Sequence, residues 1–240
     1  MPEIPRRGLP VLFFIPAAGF LAVIGVMAAA GHVDVRSMTQ DVTSLGRIHP
    51  LSGLLSNLGI LLWWSTASIC LLSAAAVRGR DVPDLQSFLL WSGALSAYLA
   101  LDDLFRIHET LAPRYAGIAE RHVYAVLVVA VAAHLLVFWR VILGTEYRLL
   151  LLALLLLSSS VAMDTVIERW MRQLGQWEFF LEDGAKWLGI VSWCAYYSTA
   201  CLQAVGAAAP EMTRHRAPMR QWTPGDLERR GAAARGRVPG

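Results

Sequence analysis

Long apolar runs separated by short polar segments set the pattern of the chain. Leu9 to Gly31 carries no charge at all, and a polar stretch with Asp34, Arg36, Asp41 and Arg47 follows it, from His32 to Pro50. Further apolar runs lie near residues 51–77, 85–104, 122–142, 149–168 and 185–205. Each approaches the ~20 residues that a helix needs to cross a bilayer. The pattern predicts an all-α, polytopic integral membrane helix bundle of about six transmembrane helices. Arg78–Asp84 and Gly144–Arg148 read as tight turns, and Leu111–Arg121, with Pro113 and Gly117, reads as a loop. Arg169–Phe180 mixes Trp170, Trp177, Phe179 and Phe180 with charges, which suits a connection lying along the membrane interface. Residues 210–240 are rich in Arg, Pro, Gly and Ala and read as a disordered tail, so residues 1–209 form the helical domain.

Composition agrees with the pattern. At 56% hydrophobic and 16% charged residues, the chain is more apolar than a soluble domain, where about 25% charged is usual. Its mean hydropathy is +0.49. The first run is longer than the ~7–15 apolar residues of a secretory leader, which favours a retained helix over a peptide cleaved after Ala28-Ala29-Ala30. The distribution of cations gives the topology. With a cytoplasmic N-terminus, thirteen arginines fall inside: Arg6, Arg7, Arg78, Arg80, Arg140, Arg148 and seven in the tail. Eight cations fall outside on longer segments: Arg36, Arg47, Arg106, Arg114, Arg121, Arg169, Arg172 and Lys186. The positive-inside rule then places both termini inside (N-in/C-in), in the plasma membrane of a bacterium. The tail arginines suit anionic lipid at the inner leaflet, and no nucleic-acid motif is present. Cys70, Cys194 and Cys201 sit in apolar runs without zinc or redox spacing and read as small buried residues. Gly184 and Gly189 read as points of close helix packing.

This topology brings the charged helix ends to one side. Asp102, Asp103, Arg106, His108 and Glu109 close the third run, and His122 opens the fourth. Asp164 and Glu168 end the fifth, while Glu182, Asp183 and Lys186 open the sixth. On a continuous helix at ~100° per residue, Asp102, Arg106 and Glu109 share one face, and Asp103 and His108 point elsewhere. Lys186 follows Glu182 by four residues and Asp183 by three, and Arg172 follows Glu168 by four, all ion-pair spacings. His134 lies deep in the fourth run and reads as a neutral histidine hydrogen-bonded between helices.

Two functional classes fit the cluster. Carboxylates exceed cations and imidazoles stand among them, which is the donor set of a zinc, manganese or iron site. On this reading the protein is a metal-dependent membrane hydrolase or oxidoreductase acting on a lipid or amphiphile at the outer leaflet. Its ligands come from Asp102, Asp103, His108, Glu109, His122, Asp164 and Glu168. Glu182 or Asp183 serves as general base, and Lys186 and Arg106 hold an anionic head group or fix the carboxylates. The alternative is a non-enzymatic protein: a proton or cation carrier, a sensor or a structural component, with the same residues as ion pairs. An enzyme site keeps excess carboxylates converging; an ion-pair network distributes them one to one among the cations.

Overall fold

The computed structural model describes residues 9–32, 34–40, 42–80, 83–165, 173 and 176–207, and every regular element among them is helical. The chain divides into two compact units, residues 1–54 and 55–240. The first unit holds α1 (Leu9–Ala29), α2 (Val35–Thr39) and α3 (Val42–Gly46). The 21 residues of α1 include no charge. Asp34 caps α2 by accepting the Ser37 N–H at 3.0 Å. The segment expected as a plain polar loop therefore contains two short helices, because caps and turns satisfy its backbone locally.

The second unit holds α4 (Leu54–Ala76, beginning at the boundary), α5 (Pro83–Phe105), a π-helix (Ile107–Ala116), α6 (Glu120–Val137), α7 (Trp139–Leu143), α8 (Tyr147–Thr165) and α9 (Gln176–Ala207). Among the described residues, four helices are long and apolar enough to cross a membrane: Leu54–Ala76, Pro83–Phe105, Glu120–Val137 and Tyr147–Asp164. His134 is the buried residue of α6, while Val126, Val128, Val129 and Leu136 are exposed and form a bare apolar face. A face of that kind calls for an apolar surrounding.

α9 is the element around which this unit packs. It lies alongside α4 through Trp63–Trp193, with ring centroids 5.6 Å apart, and through Cys70–Cys201. Both contacts advance along both chains together, so α4 and α9 run in the same direction. Against α5 it runs oppositely. Lys186 meets Asp103, Trp193 meets Ser96, and Tyr197 meets Ser92 at His134. Each step of seven and then four residues back along α5 is matched by seven and then four forward along α9, so the polar positions of both helices lie on facing stripes. The core around them is aromatic and small: Trp63, Phe88, Trp193, Tyr196 and Tyr197 against Ala67, Ala100, Ala200 and Ala204. Trp193, Tyr196 and Tyr197 lower the apolarity of α9, yet their polar atoms are bonded inside the bundle. That is why so enclosed a helix is not among the candidate spans.

The α8–α9 contact rests on Gly189. A Cβ there would lie 2.8 Å from Leu157 Cγ and 3.1 Å from its backbone nitrogen, so any side chain forces the two backbones apart. Gly189→Val is expected to lower stability by about 1–3 kcal/mol, the range for overpacking a filled core. Gly184, expected as a second close approach, has open space around its Cβ direction, and Gly184→Ala should be nearly neutral. Urea unfolding of the two variants in detergent compares them directly, and equal losses would remove the packing argument.

Several boundaries differ from the sequence pattern. The fourth run breaks at Phe138, whose backbone (φ −103°, ψ 16°) separates α6 from α7. Of Arg169–Phe180, expected as a connection between helices, Gln176–Phe180 form the first turns of α9, with Trp177, Phe179 and Phe180 exposed. The expected loop from Leu111 is occupied as far as Ala116 by the π-helix. Residues 210–240, expected as a disordered tail, lie outside the described residues, as do Glu168, Arg169 and Arg172.

Candidate functional site

The charged end of the bundle is shaped by a break just past Phe105. Arg106 adopts a left-handed conformation (φ 49°, ψ 51°), unusual for a residue with a Cβ. The chain then continues as a wider helix, with the Leu111 N–H donating to the Arg106 carbonyl at 3.1 Å, five residues back. Pro113 has no N–H for an ordinary helical ladder, and the widened turn accommodates it until Gly117 (φ 67°) ends the element. Because the helical phase is reset at Arg106, the wheel argument that separated His108 from Asp102 fails. The His108 N–H donates to Asp102 Oδ1 at 3.0 Å, and His108 Nδ1 lies 2.6 Å from Asp102 Oδ2. Both residues are buried.

An ionised carboxylate only accepts, so the Asp102 contact puts a hydrogen on Nδ1 and leaves Nε2 as the nitrogen that titrates. Nε2 lies 3.4 Å from Glu109 Oε1, and the imidazole rests against the Tyr124 ring of α6 at 4.8 Å. Burial pulls the His108 pKa down. The hydrogen bond and charge of Asp102, joined by the charge of Glu109, outweigh that effect and the opposing Lys186 charge, and hold it above the usual histidine value. Glu109 also pairs with Arg106, whose Nε donates to Oε2 at 2.8 Å. This i, i+3 pair joins two residues that the helical spacing placed on one face.

Asp103 joins three helices. Lys186 Nζ of α9 donates to its Oδ1 at 2.7 Å, and the Trp63 indole N–H of α4 donates to its Oδ2 at 3.0 Å. The expected local pairing of Lys186 with Glu182 or Asp183 is thus replaced by a partner 83 residues away. Asp103 already sits within the bundle and offers the ammonium a short charge-assisted bond there. Glu182 lies near Asp164, Asp183 and Glu178; burial first, and then these like charges, raise its carboxyl pKa, with Lys186 pulling the other way. Asp164, Asp183 and His122 are exposed at this end, and His122 stands in the first turn of α6.

Of the candidate ligands, the fold brings Asp102 onto His108 and Glu109 beside it, and gives Asp103 to Lys186. Glu168 lies outside the described residues. Among the described residues, no three His, Cys, Asp or Glu side chains are grouped so as to hold a metal ion.

Below the charged end, polar groups missed in the sequence continue into the bundle. The Trp193 indole N–H donates to Ser96 Oγ at 3.1 Å. Ser92 Oγ donates to the Phe88 carbonyl at 2.7 Å and lies 3.2 Å from His134 Nε2. With the serine hydrogen committed to Phe88, Ser92 accepts from His134, which places the imidazole hydrogen on Nε2. Tyr197 Oη is 3.3 Å from the same nitrogen. His134 is therefore hydrogen-bonded between helices, as its position suggested. The signal for the others is Ser92, Ser96 and Asp103 at i, i+4 and i+11, a single face of α5.

A family model described as a domain of unknown function, DUF8692, matches residues 13–200. No curated protein and no solved structure matches the chain.

Proposed function

The chain belongs to the DUF8692 family, and from its own geometry we propose that it is a non-enzymatic, multi-pass protein of a bacterial plasma membrane. Its charged end is an ion-pair network at the non-cytoplasmic face that responds to pH. On this reading α1, α4, α5, α6 with α7, α8 and α9 are six spans, with both termini cytoplasmic. The opposite run of α5 and α9 and the common run of α4 and α9 support that alternation.

The observation that carries the proposal is the pairing of the carboxylates at the end of α5 and the start of the π-helix. Asp102 holds His108, Asp103 holds Lys186, and Glu109 holds Arg106 and faces His108 Nε2. A catalytic metal site would converge three such groups on one point. A proton-responsive end needs instead a buried imidazole whose charge is set by its neighbours, and His108 has that environment.

A second reading retains a divalent zinc, manganese or iron ion and enzymatic work on a lipid or amphiphile. It is favoured by the acidic group of Asp164, Glu178, Glu182 and Asp183, which raises the Glu182 pKa together with burial.

Total metal by mass spectrometry separates the two. Protein purified in detergent without chelator, and then resupplied with zinc, manganese and iron, is expected to remain metal-free. Near-stoichiometric metal that disappears in an Asp164→Asn/Glu168→Gln variant would overturn the ion-pair reading and restore the metalloenzyme.

A further inference from the structure

Two of the three cysteines face each other across the bundle. Cys70 of α4 and Cys201 of α9 are 131 residues apart in the chain, yet the Cys201 thiol points at the Cys70 sulfur, Sγ to Sγ 3.8 Å. Their helices run in the same direction and are already held together by the Trp63–Trp193 contact, seven residues before Cys70 and eight before Cys201. The sulfurs therefore meet through two helices in fixed register. Both residues are enclosed, Cys70 at 0% and Cys201 at 2% exposure, while Cys194 is only half-buried.

We propose that Cys70 and Cys201 are a redox latch, a dithiol that closes into a disulfide joining α4 to α9 when a lipid-soluble quinone oxidises it. A disulfide has its sulfurs about 2.0 Å apart, so closure brings them together from 3.8 Å by rotation about both Cα–Cβ bonds. Two S–H bonds break and one S–S bond forms. The two electrons and two protons pass to the quinone, which leaves as the quinol. The product suits its surroundings, because a disulfide is neutral and offers no N–H or O–H that burial would strand. The choice of oxidant rests on the membrane reading above: both sulfurs are covered by protein, so an oxidant reaches them only when α4 and α9 part, and the phase around these helices is then the one in which quinones dissolve. Closure would fix α4 against α9 at the level of Tyr196 and Tyr197, well away from the charged end.

The test uses the full chain in lipid nanodiscs, reduced, freed of reductant, and treated with a fully ring-substituted short-chain ubiquinone or with diamide. Thiols are then counted by alkylation after denaturation. The expected result is a fall from three reactive thiols to one, a mass loss of two hydrogens, about one quinol per chain, and a linked peptide pair containing Cys70 and Cys201. Cys194→Ser should close in the same way, whereas Cys70→Ser and Cys201→Ser should not. The unfolding midpoint of the closed form should rise and fall back on reduction. Three reactive thiols after both oxidants, or a link through Cys194, overturns the latch. Closure with diamide but not with the quinone overturns the quinone as its oxidant, and with it the argument from the lipid phase.

Discussion

Asp103→Ala is expected to lower the unfolding free energy by about 2–3 kcal/mol. The substitution removes the partner of Lys186 and the acceptor of the Trp63 indole N–H, so α5 loses its charged tie to α9 and its hydrogen bond to α4 at once, keeping the Trp193–Ser96 bond to α9. Breaking a fully buried ion pair costs roughly 3–5 kcal/mol, because the surviving charge stays unpaired in a poor solvent. The figure here is lower because the Lys186 side chain retains 37% exposure and can turn toward water. The double variant Asp103→Leu/Lys186→Met should regain much of the loss, since it strands no charge. Denaturant unfolding in detergent reads all three proteins. If Asp103→Ala lies within about 0.5 kcal/mol of wild type, the range of an ordinary surface change, the pair is not what holds these helices.

The second large effect is on pH dependence. The His108 pKa is raised by folding, so its stabilisation is complete below the unfolded value of about 6.5 and is lost as pH rises through the folded value. Glu182 acts in the same sense in more acidic solution, its folded pKa also lying above the unfolded one. The wild-type unfolding midpoint should therefore fall as pH rises from about 6 through the folded His108 pKa. Asp102→Asn removes the charge that raises His108, leaving burial to dominate and Lys186 to oppose it further. The fall above neutrality should flatten or reverse, while stability at mildly acidic pH drops by about 1.5–3 kcal/mol, the worth of a hydrogen bond to a charged group. Thermal unfolding between about pH 5 and pH 9 tests both parts. An unchanged slope in Asp102→Asn would exclude His108 as the responsive group.

The apolar helices were legible because length and lack of charge are properties of a segment alone. α4, α5, α6 and α8 follow their runs to within a few residues, and the Arg106–Glu109 pair was visible as a local spacing. What the sequence hid depends on two things. One is a single backbone angle: the left-handed Arg106 changes the phase of everything after it, so a helical wheel drawn through 102–109 misplaces His108. The other is register between distant helices. Lys186 has acidic neighbours at three and four residues, and nothing local reveals that Asp103 will be nearer. The indoles of Trp63 and Trp193 sit inside apolar runs, and their acceptors, Asp103 and Ser96, lie on another helix. The acidic residues were legible as a group at one end, but their pairing was not.

The matched stripes of α5 and α9 also set an order of assembly. α9 follows all the other described helices in the chain, and it carries the partners that Asp103 and Ser96 require. A ribosome supplies about 5–20 residues per second, so Asp103 and Ser96 wait several seconds for Lys186 and Trp193 while α6, α7 and α8 are made. A chain stopped before Gln176 would leave Asp103 with its Trp63 bond alone and Ser96 without its Trp193 donor. The last of the described helices therefore completes the polar partners of α5, adding Lys186 to Asp103 and Trp193 to Ser96 after α4 and α6 have supplied Trp63 and His134.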